Sequence, residues 1–327
     1  MNQILNTVHI SNFKSIRSCT LSNLNRINIF IGKPNVGKSN IIEALSLYSI
    51  PFLVESIPRK LTSLVRLENE LELFHNGNNQ LAIEVSSDIG NCSLHYNREQ
   101  GLYGELNLIE DFYRIQIDDK LKVKGLKLLN NQQPKVKRYN FQTNIKFKKS
   151  HAKYLIPPYG FNLLSVIEAH PNLKKNVMEL FKENNLEIVF DKASQTIKVL
   201  KKVGSDIFLI PYNSIADTLQ RLIFFQSAIL SNSGSVLLFE EPEAHSFPPY
   251  ITHITQEIIY NKENQYFIAT HSPFLLNDLI EHAMNEISVF AVTSSHGETK
   301  IKQLLPEELH EVMQYGVDLF TNIESYI

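Results

Sequence analysis

The sequence predicts an α/β fold built on a mainly parallel sheet, with an antiparallel β-rich insertion and a helical lobe. Three observations predict it. A glycine-bracketed loop separates a buried strand from a helix within residues 26–48. Two short apolar runs, 236–239 and 266–269, lead into Glu240 and, one residue further on, His271. Helical stretches alternate with these runs, the rhythm of a parallel sheet covered on both faces.

The elements follow in order. Residues 7–10 and 19–21 read as short strands, and 26–31 as a strand whose run Ile27-Asn28-Ile29-Phe30-Ile31 suits burial on both faces. Ser39 to Tyr48 is helical, with Ile41, Ile42, Leu45 and Leu47 apolar. From about 61 to 150 the texture changes to short strands at 71–74, 81–85, 93–96, 113–117 and 139–147, between Asn and Gly turns. Residues 163–170 and 173–185 are helices broken at Pro171, and 186–190 and 197–201 are strands. The α/β rhythm then resumes: helix 217–230 with Asp217 suited to the N-cap, strand 236–240, helix 250–260, strand 266–269 and helix 273–280. Strands 287–292 and 300–303 and a helical tail 306–327 close the chain. The expected division is 1–60 and 213–327 as the two halves of a nucleotide domain, 61–155 as the insertion, and 156–212 as the helical lobe.

Composition narrows the class. The chain has 327 residues, 43% hydrophobic and 20% charged, the balance of a soluble globular protein. A formal charge of −2 gives no global nucleic-acid footprint. Cys19 and Cys92 offer neither zinc spacing nor a disulfide framework, which suits a reducing compartment. The start lacks a signal-peptide layout, and no apolar run approaches the ~20 residues of a membrane helix. A cytoplasmic protein with no membrane partner is expected. Locally, residues 114–153 hold twelve Lys/Arg against Asp118 and Asp119. That stretch is either a solvated face or a contact for nucleic acid or another polyanion.

Gly32-Lys33-Pro34-Asn35-Val36-Gly37-Lys38-Ser39 satisfies G-x-x-x-x-G-K-[ST], between strand and helix as the motif requires. The glycines let backbone N–H groups turn inward around a polyphosphate at a helix N-terminus. Lys38 is then placed for the β- and γ-phosphates, and the Ser39 hydroxyl for one Mg²⁺ position. The apolar strand Val236-Leu237-Leu238-Phe239 runs into Glu240, expected on Mg²⁺, and Glu241, expected to polarise an attacking water. Successive strand side chains point oppositely, so adjacent acids can take different jobs. His271, in Thr270-His271-Ser272-Pro273, closes another strand and is placed to contact a γ-phosphate.

These motifs, with Ile10-Ser11-Asn12-Phe13-Lys14-Ser15-Ile16, Gly37-Lys38-Ser39-Asn40 and Phe239-Glu240-Glu241-Pro242-Glu243-Ala244-His245, resemble the ABC-type ATPases of the RecF, Rad50 and SMC group. Within it they look most like the OLD-like AAA-15/AAA-21 ATPases. The resemblance covers the two ends of the chain, about 1–47 and 213–277. It implies a P-loop ABC-type ATPase head that binds and hydrolyses ATP with Mg²⁺. It also implies a head-to-tail homodimer in which ATP is sandwiched against a partner's signature segment. Ser214, Asp217 and Thr218 stand in that segment's place, with Asp217 where the family usually has glycine. The Q-loop glutamine is not identifiable. No sustained heptads lie between Ser39 and Glu240, and the tail after Pro273 is too short for a Toprim domain. The resemblance therefore suggests bacterial defence or DNA maintenance through a separate effector, such as a nuclease. Two alternatives stand beside it: an ATP-binding scaffold with negligible hydrolysis, and a RecF-like repair ATPase acting on DNA directly.

Overall fold

The computed structural model describes residues 4–109, 111–128, 134–182 and 186–326, with the backbone alone for 125–128. In chain order, the hairpin β1 (Val8–Phe13) and β2 (Ile16–Leu21) precedes β3 (Ile27–Ile31), the phosphate-type loop and α1 (Lys38–Leu45). Then come β4 (Ile83–Ser87), β5 (Gly90–Asn97), β6 (Gly101–Leu108), β7 (Phe112–Ile117), β8 (Val123–Leu128) and β9 (Val136–Tyr139). Helices α2 (Leu163–Ala169) and α3 (Pro171–Lys182) lead to β10 (Glu187–Asp191), β11 (Thr196–Val203) and β12 (Asp206–Pro211). The last third alternates α4 (Asp217–Leu230), β13 (Val236–Glu240), α5 (Pro248–Tyr260), β14 (Gln265–Ala269) and α6 (Pro273–Ala283). It ends with β15 (Ile287–Ser295), β16 (Glu298–Gln303) and α7 (Pro306–Tyr315).

A six-stranded sheet in the order β16-β15-β3-β14-β13-β9 forms the centre. Its pairs are parallel except β15 with β16. Because side chains alternate across a strand, residues of one strand serve two cores. Ile29, Leu237, Phe239 and Ile268 pack with α4, α5 and α6. Phe30, Leu238 and Phe267 pack with α1 and the antiparallel sheet. Phe30 stacks between Phe267 and Phe290, centroids 6.3 and 5.2 Å away. This double burial is why these strands are continuous apolar runs, and it leaves their carboxyl ends as the place where polar chemistry can emerge.

The antiparallel strands expected as an insertion extend the N-terminal hairpin into one seven-stranded sheet, β2-β1-β4-β5-β6-β7-β8. A separate meander β10-β11-β12 follows α3. Several local expectations are corrected. Residues 71–74 are not a strand: Glu70–Leu73 is a 3-10 turn, its Leu71 N–H capped by the Asn69 side chain. The strand expected at 139–147 lies at Val136–Tyr139, all four residues buried, so Lys137 and Arg138 disguised it as surface. Pro171 starts α3 rather than breaking a helix, since proline's missing N–H costs nothing at the first position. Residues 183–185, expected at that helix's end, lie outside the described residues. The tail is not one helix, because α7 stops at Gly316 in the left-handed region, φ 62°. Residue 327, its expected end, also lies outside the described residues.

Candidate functional site

The glycine loop leaves β3 between two walls. A Cβ on Gly32, φ 155°, would fall 2.2 Å from the Val292 carbonyl oxygen. One on Gly37, φ 105°, would fall 1.9 Å from Thr299 Oγ1. Neither position tolerates a side chain. Gly37 occupies the left-handed N-cap conformation from which α1 starts at Lys38, so the helix's unpaired N–H groups open onto the loop. Lys33, Pro34 and Asn35 are exposed on the loop, Val36, Ser39 and Asn40 half-buried. Lys38 is 5% exposed and donates to the carbonyl oxygens of Gly32 (2.9 Å) and Lys33 (2.8 Å). Burial lowers its pKa to about 8, against the opposing pull of Glu241 and Glu240.

Glu240 ends β13 beside this loop. Its carboxylate accepts from Arg138 Nη2 at 2.6 Å and faces Arg66 Nη2 at 3.0 Å. Burial pushes the carboxyl upward, but Arg138, a hydrogen bond to Ser39, and Arg66 outweigh it and hold it below the usual range. Arg66 also pairs with Glu43 at 2.8 Å, and Lys14 meets the same fully buried Glu43 at 2.5 Å. A chain of alternating charge thus runs Lys14, Glu43, Arg66, Glu240, Arg138. Arg138 Nε and Nη1 are buried without a hydrogen-bond partner among the described residues.

Glu241 is separated from Glu240 by a turn, not by strand alternation. The strand stops at Glu240, and Glu241 takes the left-handed conformation, φ 43°, with its N–H on the Ala269 carbonyl at 2.8 Å. Its carboxylate lies 3.7 Å from His271 Nε2. Burial and the nearby Lys38 charge lower the His271 pKa, with Glu241 opposing, which favours the uncharged ring. Glu243, 7% exposed, holds this corner: it accepts from Thr270 Oγ1 at 2.5 Å and from the His271 N–H at 3.2 Å. The loop, both acids and the histidine therefore come together. The signature-like residues meet this corner from the side, through Arg221, which donates to the Glu241 carbonyl at 3.4 Å. Ser214 is exposed in a 3-10 turn, and Thr218 donates to the His245 carbonyl at 2.7 Å. Asp217 is the first residue of α4, not its N-cap: Ala216 caps it without a side-chain bond, and Asp217 faces Arg221 at 3.9 Å.

Residues 170–277 match the family model described as "AAA domain, putative AbiEii toxin, Type IV TA system". Over 45 residues the chain is 51% identical to the uncharacterised protein MJECL10 of Methanocaldococcus jannaschii, covering 14% of this chain and 20% of that protein. The chain thus matches about a fifth of that curated relative's length. Among solved structures, an SMC head bound to the C-winged helix domain of ScpA superposes over 94% of this chain and 100% of its own, at 14% identity and a TM-score of 0.56. The Pyrococcus furiosus Smc head with an extended coiled coil, bound to the C-terminal domain of ScpA, covers 95% and 98% at 13% identity, TM-score 0.52. This is the fold of an ABC-type ATPase head.

In this head, sequence reasoning missed Arg66, Arg138 and the anchoring role of Glu243. Arg138 and Lys137 were counted in the basic stretch, but they are 3% and 7% exposed and belong to the core. Two of the twelve cations are thus removed from any surface patch, and their replacement would not be neutral. A signal was present: Val136 and Tyr139 flank the pair as strand formers. Gln142 follows β9, which runs parallel to β13, and so emerges at the same end of the sheet as Glu240.

Lys137 gives a stability test. Its Nζ donates to Asn232 Oδ1 (2.6 Å) and Ser235 Oγ (3.3 Å) and lies 4.1 Å over the Tyr154 ring. Burial lowers its pKa from 10.5 to about 8. Between those values the unfolded chain binds more protons, so this amine's cost is full below about pH 8 and is relieved as pH rises through the window. Lys137→Met is expected to flatten that rise in urea unfolding compared at pH 8 and about pH 10.

Proposed function

We propose that the chain binds and hydrolyses Mg·ATP at residues 32–40, 240, 241 and 271, and that ATP-driven association of two heads regulates a separate effector. The observation that carries this reading is the convergence on one phosphate-type loop of the buried Lys38, of Glu240 at the end of β13, and of a Glu241–His271 pair at 3.7 Å. Lys38 and the loop N–H groups hold phosphates, with Lys33, Pro34, Asn35, Val36 and Asn40 shaping the cradle. The residues present fit a divalent cation, since Ser39 and Glu240 offer adjacent oxygens and an ionised carboxylate. Bound there, Mg²⁺ would neutralise phosphate charge. Glu241 takes the proton of the attacking water, and neutral His271 donates a hydrogen bond to the γ-phosphate.

Gly32–Ser39 and 240–271 lie in the expected head halves 1–60 and 213–327, and the segment 61–155 joins them by adding β9 to the central sheet and β4–β8 to the N-terminal hairpin, with 156–212 following. The effector reading leans on analogy: the similar SMC heads carry a bound ScpA domain, and the matching family model is described as a putative toxin. We place the protein in bacterial defence or DNA maintenance, in the cytoplasm. No helix among the described residues is long and apolar enough to cross a membrane. A second reading, ATP binding with negligible turnover, is favoured by Thr218 being engaged within its own head and by two arginines on Glu240. Phosphate release and light scattering, with and without Mg·ATP, separate them. Hydrolysis accompanied by a transient doubling of mass is expected; a constant mass with no release would favour the second reading.

A further inference from the structure

The hairpin β15–β16 turns at His296 and Gly297 and returns Thr299 beneath the phosphate-type loop, 3% exposed. Four groups meet there. Asn40 Nδ2 lies 2.6 Å from Ser15 Oγ, Ser15 Oγ lies 2.6 Å from Thr299 Oγ1, and Thr299 Oγ1 lies 3.1 Å from the Val36 carbonyl oxygen. A carbonyl only accepts and an amide NH₂ only donates, so one order satisfies every group. Asn40 donates to Ser15, Ser15 donates to Thr299, and Thr299 donates to Val36. The Thr299 N–H also donates to the Ser15 carbonyl at 2.8 Å, which fixes the two hydroxyls against each other.

The last link sets a direction. In a trans peptide the C=O and the following N–H point oppositely. With the Val36 carbonyl held on Thr299, the Gly37 N–H must point away from Thr299. Gly37 lies close against Thr299 on this side: a Cβ built there would fall 1.9 Å from Thr299 Oγ1, so only glycine fits. We infer that Thr299 is a positioning residue for the phosphate loop, acting through Val36 to aim the Gly37 N–H and through Ser15 and Asn40 to lock the loop onto α1. Thr299 does not touch the nucleotide. The inference rests on the proposal that this loop binds phosphate.

Because the N–H groups of such a loop serve ground state and transition state alike, loss of their alignment weakens binding uniformly. The test is calorimetry with Mg·ATP and with Mg·ADP, plus steady-state hydrolysis, on wild type, Thr299→Val and Thr299→Ser. Thr299→Val keeps the shape without the hydroxyl. It is expected to weaken both nucleotides and raise KM roughly three- to tenfold, the range one lost hydrogen bond gives, with kcat within about twofold. Thr299→Ser restores the hydroxyl and is expected to bind within about twofold of wild type. Ser15→Ala interrupts the chain one link earlier and gives the same signature if Thr299→Val fails to fold. Wild-type affinity in a folded Thr299→Val overturns the inference, as does equal weakening by Thr299→Ser or a fall in kcat at constant KM. A wild type that binds neither nucleotide overturns the phosphate-loop reading itself.

Discussion

Phosphate release by Glu241→Gln is expected to fall about 10²–10⁴-fold, the usual contribution of a general base, while Mg·ATP affinity stays near the wild-type value. The exchange is nearly isosteric and leaves the local backbone alone. Glu241 owes its left-handed conformation to its N–H bond with Ala269 and to the surrounding turn, and glutamine inherits both. Folding stability should therefore not change, which separates a chemical defect from a structural one. The variant should also accumulate as a closed dimer in ATP, because a ligand that favours the associated state holds it there when hydrolysis no longer releases it. Light scattering alongside phosphate release reads both effects. A variant that hydrolyses at the wild-type rate would remove Glu241 from the chemistry. A slow variant that stays monomeric would keep the ATPase and remove the dimer.

Arg138→Ala should act on stability first. Arg138 is nearly fully buried, and its partner Glu240 is mostly so. Removing one member of a buried pair leaves the other charge uncompensated, at a cost of about 3–5 kcal/mol. Arg66 still faces Glu240 at 3.0 Å, so about 3 kcal/mol, the low end, is expected. Urea unfolding at neutral pH measures it. Below the Glu240 pKa the acid is neutral in both variants, so the difference should shrink as pH falls toward the acid range. A loss under about 1 kcal/mol, the scale of surface pairs, would mean that the pair is not held in solution.

How much of this was legible follows from physical cause. The buried strands β3, β13 and β14 announced themselves because double burial demands unbroken apolar runs. The loop pattern and the acids at the end of β13 stand out in sequence because glycine, lysine and serine recur there at fixed spacing between a strand and a helix. Helix α4, Asp217–Leu230, is legible from its apolar stripe, yet the N-cap position expected of Asp217 belongs to Ala216. What stayed hidden was held by long-range pairing. The Arg138–Glu240 contact spans 102 residues, and nothing local marks an arginine as buried. The joining of β1 with β4, which turns an apparent insertion into the continuation of the N-terminal hairpin, is likewise a register between distant strands. Strand β12 was missed because Ile207, Phe208 and Leu209 are all exposed, so it has no inward-outward alternation to read.

The central claim is that nucleotide phosphates sit in the loop from Gly32 to Ser39, and calorimetric titration of Mg·ATP into wild type and Lys38→Ala tests it most directly. Lys38 is a buried cation inside the loop, and its amine donates to the loop's own carbonyls of Gly32 and Lys33. Its removal takes away the side-chain charge that the proposal assigns to the β- and γ-phosphates while leaving the fold's apolar layers untouched. Saturable 1:1 binding by wild type and no measurable heat of binding by a folded Lys38→Ala is the predicted result. Equal affinity in the two proteins would contradict it.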